Sequence, residues 1–165
     1  MAGKTSQLQI RVTAAEKAAL RERAGAAGLD VSRYVLARAL PPPAAAFAGL
    51  MAAMGSAKAL SASLIAGLED LLMPLGSEQF AVAVEAAPGL ADAHAVAQNL
   101  VAAMVEHAAA WRGVVPPAWT LDVPSLDEPW FATDLRSLRP YLIASSPVPY
   151  RRRNLYVERG LGARV

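Results

Sequence analysis

The residues best equipped for chemistry lie near the amino terminus. In Gln7-Leu8-Gln9-Ile10-Arg11-Val12 polar and apolar side chains alternate with period two. A strand there sets Gln7, Gln9 and Arg11 on one face and Leu8, Ile10 and Val12 on the other. Two primary amides and a guanidinium in a row are recognition groups. Glutamine pairs bidentately with adenine and arginine with guanine, each pair worth about 1–3 kcal/mol of discrimination. Catalytic groupings are poor by contrast. The chain has no Gly-rich phosphate loop, no zinc-protease helix motif and no nucleophile elbow. His94 and His107 are thirteen residues apart, which does not set two ligands on one helix face. Asp92 and His94 point apart on a helix, and the neighbours Glu106-His107 do not face each other. Glu69-Asp70 is the same kind of adjacent pair and reads as solvated surface. The absence of cysteine excludes disulfides and thiolate metal sites. The expectation is a binding protein, not an enzyme, with neither metal nor cofactor.

The elements that must position the Gln-x-Gln-x-Arg face follow at once. A lone six-residue strand is unstable in water. No second strand pattern lies close by, so the economical partner is the same segment of a second chain. Thr13 and Glu16 make a T-x-x-E capping box. Ala14 to Ala27 are strong helix formers with Leu20 as main apolar anchor, and Gly28 is the stop. Asp30 caps a second helix from Val31 to Leu40, which Pro41-Pro42-Pro43 ends.

This order of strand, capped helix, glycine turn and second helix opening Asp-Val-Ser-Arg-Tyr-Val resembles the ribbon-helix-helix (MetJ/Arc/CopG-type) DNA-binding family over residues 4 to 40. The resemblance implies a homodimer whose paired strands enter the major groove of double-stranded DNA. It implies that Gln7, Gln9 and Arg11 face the bases. Lys4 and the start of the second helix, at Val31, Ser32 and Arg33, would contact phosphate. A helix N-terminus suits that role, because it offers unpaired amides and a partial positive charge. The sequence departs from the family where Asp30 and Arg33 replace the frequent Ser and Glu. Arg33 adds a cation near the expected phosphate, and Asp30 works against it.

Charge is distributed unevenly behind a net value of +2. Residues 1–40 hold seven Lys/Arg against three Asp/Glu, residues 41–111 one against six, and residues 112–165 eight against five. A basic head on an acidic middle localises a nucleic-acid contact to the head. Hydrophobic residues make up 55% of the chain, enough to build a core. The uncharged stretch from Pro41 to Ala57 begins with three prolines and is rich in alanine and glycine, unlike a spanning helix of about 20 strongly apolar residues. No secretory signal is visible. The expectation is a cytoplasmic protein with no membrane contact.

After the prolines, apolar residues from Phe47 to Leu72 recur at helical spacing, as one long helix or two broken near Gly55-Ser56. Met51, Met54 and Met73 on that stripe read as core. Further helices are expected from Ser77 through Phe80, Val82 and Val84 to an end at Pro88-Gly89, and from Leu90 to Trp111, giving a small bundle or a helical hairpin that pairs with a second chain. Prolines at 116, 117, 124 and 129 mark an extended surface connector. Trp130-Phe131 leads into a short helix over about 133–144, and Leu155 to Val157 into a candidate strand. The expected architecture is mainly α: a ribbon-helix-helix head over 1–40, a helical region over 44–111 and an extended or helical partner-binding segment over 112–165.

That last segment sets Trp119, Trp130, Phe131, Tyr141, Tyr150 and Tyr156 in one stretch with Arg151, Arg152 and Arg153. Interface hot spots favour these residue types, so a protein partner is the leading expectation. Fold-back on the bundle and extra phosphate contacts are the alternatives. The run from Ser146 to Val157 also resembles, more weakly, the carboxyl-terminal segments of antitoxin-type regulators. The leading functional expectation is therefore a toxin–antitoxin antitoxin that represses its own operon and holds a toxin through its tail. A second is a plasmid mobilisation accessory protein of the relaxosome, whose heads share the pattern Arg-Val-Thr-x-x-Glu-Lys-x-x-Leu of residues 11–20. A third is a helical scaffold that does not bind DNA.

Overall fold

The structure, a computed structural model, describes residues 9–39, 41–57, 59–86 and 89–158. It is mainly helical and divides into two units, Met1–Pro41 and Pro42–Val165. The helical middle and the carboxyl-terminal segment, separate regions in the sequence reading, lie in the same second unit.

In the first unit, α1 (Ala14–Ala26) opens on the expected capping box. The Thr13 hydroxyl accepts the Glu16 amide, and the Glu16 carboxylate accepts the Thr13 amide at 2.8 Å. The helix ends in a Schellman turn. Leu29 N–H donates to the Ala24 carbonyl at 3.0 Å, and Gly28 N–H to that of Gly25 at 3.0 Å. Gly28 takes the left-handed backbone this turn requires, with φ at +67°. Helix α2 (Val31–Ala39) follows, and its first turn is capped by Asp30. Gln9 to Val12, the described part of the expected strand, have no regular structure in the single chain. The physical reason is the one that made a second copy necessary: a strand exists only against a hydrogen-bonded neighbour. Lys4, Gln7 and Leu8 lie outside the described residues.

The second unit is built on α6 (Ala95–Arg112), which packs against the elements before and after it. Helices α3 (Pro43–Ser56) and α4 (Ala62–Leu72) replace the single long helix that periodicity also allowed. Pro43 sits in the first turn of α3, where its missing amide costs nothing. Ser61 caps α4 by accepting the Leu64 amide. Phe47, Met51 and Met54 from α3 join Ile65, Leu68 and Leu72 from α4 in the core, so the methionines Met51 and Met54 pack as expected. Helix α5 (Ser77–Val84) adds Phe80 and Val84. Helix α6 starts at Ala95 and not at Leu90, because the His94 ring caps it by accepting the Val96 amide at 3.2 Å. Its buried Ala102, Ala103, Ala108 and Ala109 let neighbours approach closely.

Beyond Gly113 the chain continues the core. The connector expected on the surface contains a short helix, α7 (Trp119–Asp122), with Trp119 and Thr120 buried. The Trp119 indole donates to the Val84 carbonyl at 2.8 Å. Strand β1 (Trp130–Phe131) is followed by a 3-10 turn (Arg136–Leu138), then α8 (Arg139–Ser145) and α9 (Val148–Arg151). Helix α8 begins later than the sequence suggested, because Pro140 is tolerated only in a first turn. Strand β2 (Leu155–Tyr156) runs parallel to β1, with Trp130 opposite Leu155 and Phe131 opposite Tyr156. Among the described residues no helix is long and apolar enough to cross a membrane.

Candidate nucleic-acid interface

The described cations of the first unit are turned outward. Arg11, Lys17, Arg21, Arg23, Arg33 and Arg38 are all exposed. Gln9 and Arg11 are exposed beside Ile10 and Val12, in the segment expected to face bases. At the start of α2 the Asp30 carboxylate accepts the Arg33 amide at 2.9 Å and pairs with the Arg33 guanidinium at 3.4 Å. The opposition expected between Asp30 and Arg33 is thus a direct contact between two exposed side chains. It draws the Arg33 guanidinium toward the cap. The amides of Val31 and Ser32, which have no acceptor within their own helix, remain suited to an anion.

The apolar residues of this unit are also unusual. Among its described residues only Ala24 is buried. Ile10 is 62% exposed, and Val12, Leu29, Val31 and Leu36 are exposed as well. Leu20, Tyr34 and Val35 are half-buried. Arg38 lies over the Tyr34 ring, one turn along α2. Helices α1 and α2 pack on each other but do not enclose a core.

The residues expected to hold a partner are divided in the second unit. Tyr150 is 1% exposed and packs edge-on against His107. Arg153 is also buried, forming an ion pair with Glu106. Its guanidinium further donates to the carbonyls of Thr120 and Val123 and to the Asn99 amide oxygen. For Tyr150 and Arg153 an internal packing role takes the place of the expected partner contact. Arg151, Arg152 and Tyr141 are exposed, while Trp130 and Phe131 are half-buried. The three consecutive arginines are therefore not equivalent. Arg112, which the sequence reading did not single out, donates to the carbonyls of Leu72, Met73 and Leu75 and so closes the end of α4.

Glu69, His107 and Tyr150 meet in a shallow, mostly apolar cleft between α4, α6 and α9. Burial holds the His107 ring below its ordinary pKa. Burial and the Glu69 charge push the Tyr150 hydroxyl well above its own. A phenol held protonated beside a neutral ring is a packing arrangement near neutral pH. His94 stands elsewhere, as the cap of α6.

No characterised protein and no solved structure matches this chain. Residues 2–48 match the model of the NikA-like family, described as mobilization protein NikA, a span that covers the first unit and reaches into the opening turns of α3.

Proposed function

We propose that the chain is a DNA-binding accessory protein of plasmid mobilisation that acts as a homodimer through its first unit. The observation that carries this reading is the NikA-like match over residues 2–48. It favours the mobilisation alternative over the antitoxin expectation, which finds no support in any comparison. Two features of the first unit agree with it. Its described cations point to solvent, and its apolar residues lack the core that a second copy would complete. A unit of this size does not ordinarily bury enough surface to stand alone.

In this reading residues 7–12 of two copies pair and enter the major groove. Gln7, Gln9 and Arg11 meet base edges. Lys4, the amides of Val31 and Ser32, and Arg33 meet the backbone. The protein positions DNA and performs no catalysis, and it works in the cytoplasm without a toxin partner. The test is fluorescence anisotropy of the full chain on duplex DNA from the transfer origin of its own replicon, against an unrelated duplex of equal length. Tighter binding to the origin is expected. Arg11→Ala should lower that affinity by about 1–3 kcal/mol and relax the preference at one position. Equal, weak binding to both duplexes overturns the reading.

A further inference from the structure

The outer face of the small sheet carries a stack that the first unit does not explain. Phe131 and Tyr156 are register partners on β1 and β2. Their rings lie 4.9 Å apart at an interplanar angle of 20°. Arg139 places its guanidinium 4.7 Å from the Phe131 centroid. Side chains alternate across a strand, and here Leu155 and Val157 are fully buried while Tyr156, between them, is half-buried. The stack therefore belongs to the surface. Residues 130–158 hold five arginines against Asp134 and Glu158. Arg153 is used internally, which leaves Arg136, Arg139, Arg151 and Arg152, all exposed. Among the described residues none of these four forms an ion pair.

We propose that this face is a second nucleic-acid site, which stacks an unpaired base of single-stranded DNA on the Phe131–Tyr156 pair and holds its phosphate with Arg139. Aromatic side chains beside a cationic surface bind single strands because every base has a π face and every nucleotide a phosphate. Arg139 covers a ring face as a base would, and its exposed guanidinium can yield that face and take the phosphate. Duplex DNA offers no free base face, so the site prefers single strands. The choice of DNA over RNA rests on the reading given for the first unit; the stacking chemistry does not.

The test is anisotropy of the full chain on a labelled 20-nucleotide mixed-sequence DNA strand at low salt, with its duplex and the same sequence as RNA in parallel. Phe131→Leu and Tyr156→Leu should each weaken the single strand about tenfold and leave the duplex unchanged, and Phe131→Trp should restore it. Arg139→Gln, a surface change that does not threaten folding, should weaken the strand and lower the slope of log K against log salt by about 0.7. Arg11→Ala should show the opposite selectivity, so failure here and failure of the duplex reading are told apart. The proposal is overturned if the single strand is insensitive to all three changes, as a protein-binding face would be. It is equally overturned if Arg136→Gln matches Arg139→Gln while the aromatic changes do nothing, or if RNA binds tenfold more tightly than DNA.

Discussion

The two units are made from similar material and put it to opposite use. Both are alanine-rich and helical, and both carry large apolar residues at helical spacing. In the second unit those residues meet others from distant parts of the chain. Phe47 lies beside Trp119, and Tyr150, Leu155 and Val157 complete a core that α6 runs through. In the first unit the counterparts Ile10, Val12, Leu29 and Leu36 are exposed. The difference is not hydrophobicity but how many elements are present to share it. Two helices give one contact line, whereas a core needs faces from several directions. A unit that cannot satisfy itself is suited to assembly, and one that can is suited to serve as a body.

The sharpest way to break this contrast is to damage the self-sufficient unit from within. Arg153→Ala removes the partner of the largely buried Glu106 and the donor to the Thr120 and Val123 carbonyls. Stranding a buried charge costs about 3–5 kcal/mol. All three tryptophans, at 111, 119 and 130, lie in the second unit, so urea unfolding followed by tryptophan fluorescence reads that unit. The midpoint should fall by an amount equivalent to that cost, whereas Arg152→Ala, one residue earlier and exposed, should stay within about 0.5 kcal/mol of the parent. An equal response would mean that the triplet acts as a surface cluster after all.

That pair of arginines also marks where the sequence was legible. The capping box at Thr13, the glycine turn at 28 and the Asp30 cap are contacts within a few residues, and the sequence displays both partners of each. The apolar stripe from Phe47 to Leu72 was readable for the same reason, although the break before Ser61 depended on its cap. Arg153, by contrast, finds Glu106 across 47 residues. Arg112 finds the end of α4 across about as many. Nothing in a run of three arginines says which one turns inward. The outer stack of Phe131 and Tyr156 was hidden likewise, because it exists only once β1 and β2 are aligned. The strand over residues 7–12 is a different case: its pattern is plain, but its proposed partner is another molecule.

The next effect in size probes that missing partner. Ile10→Ala on a free surface would change stability by no more than about 0.5 kcal/mol. If a second copy covers Ile10, each chain loses the burial of a large side chain, about 1.5–3 kcal/mol. Sedimentation velocity over a dilution series should then show the dimer dissociating at higher concentration than the parent, with tryptophan fluorescence unchanged. A smaller loss, about 1 kcal/mol, is expected for Thr13→Ala, which removes the α1 cap. It should appear in the far-ultraviolet dichroism transition of the first unit and be absent from the tryptophan transition of the second.

The mildest perturbation, acid, should separate the units without any substitution. In the second unit burial lowers the His107 pKa from its ordinary 6.5. The unfolded chain therefore takes up this proton first, and the stability tied to the neutral ring is complete above pH 6.5 and lost as the pH falls toward the lowered folded value. In the first unit the hydrogen bonds from Thr13 lower the Glu16 pKa from its ordinary 4.5. Stability tied to that carboxylate is complete above pH 4.5 and is lost only below it, as the pH falls through the lowered value. On lowering the pH from 7, the tryptophan midpoint should decline first, with the helical signal of the first unit holding until the carboxylate range. His107→Gln removes the titrating ring from its contact with Tyr150 and should flatten the early decline while leaving the later one in place. A decline that persists unchanged in His107→Gln would assign the early loss to a different group of the second unit.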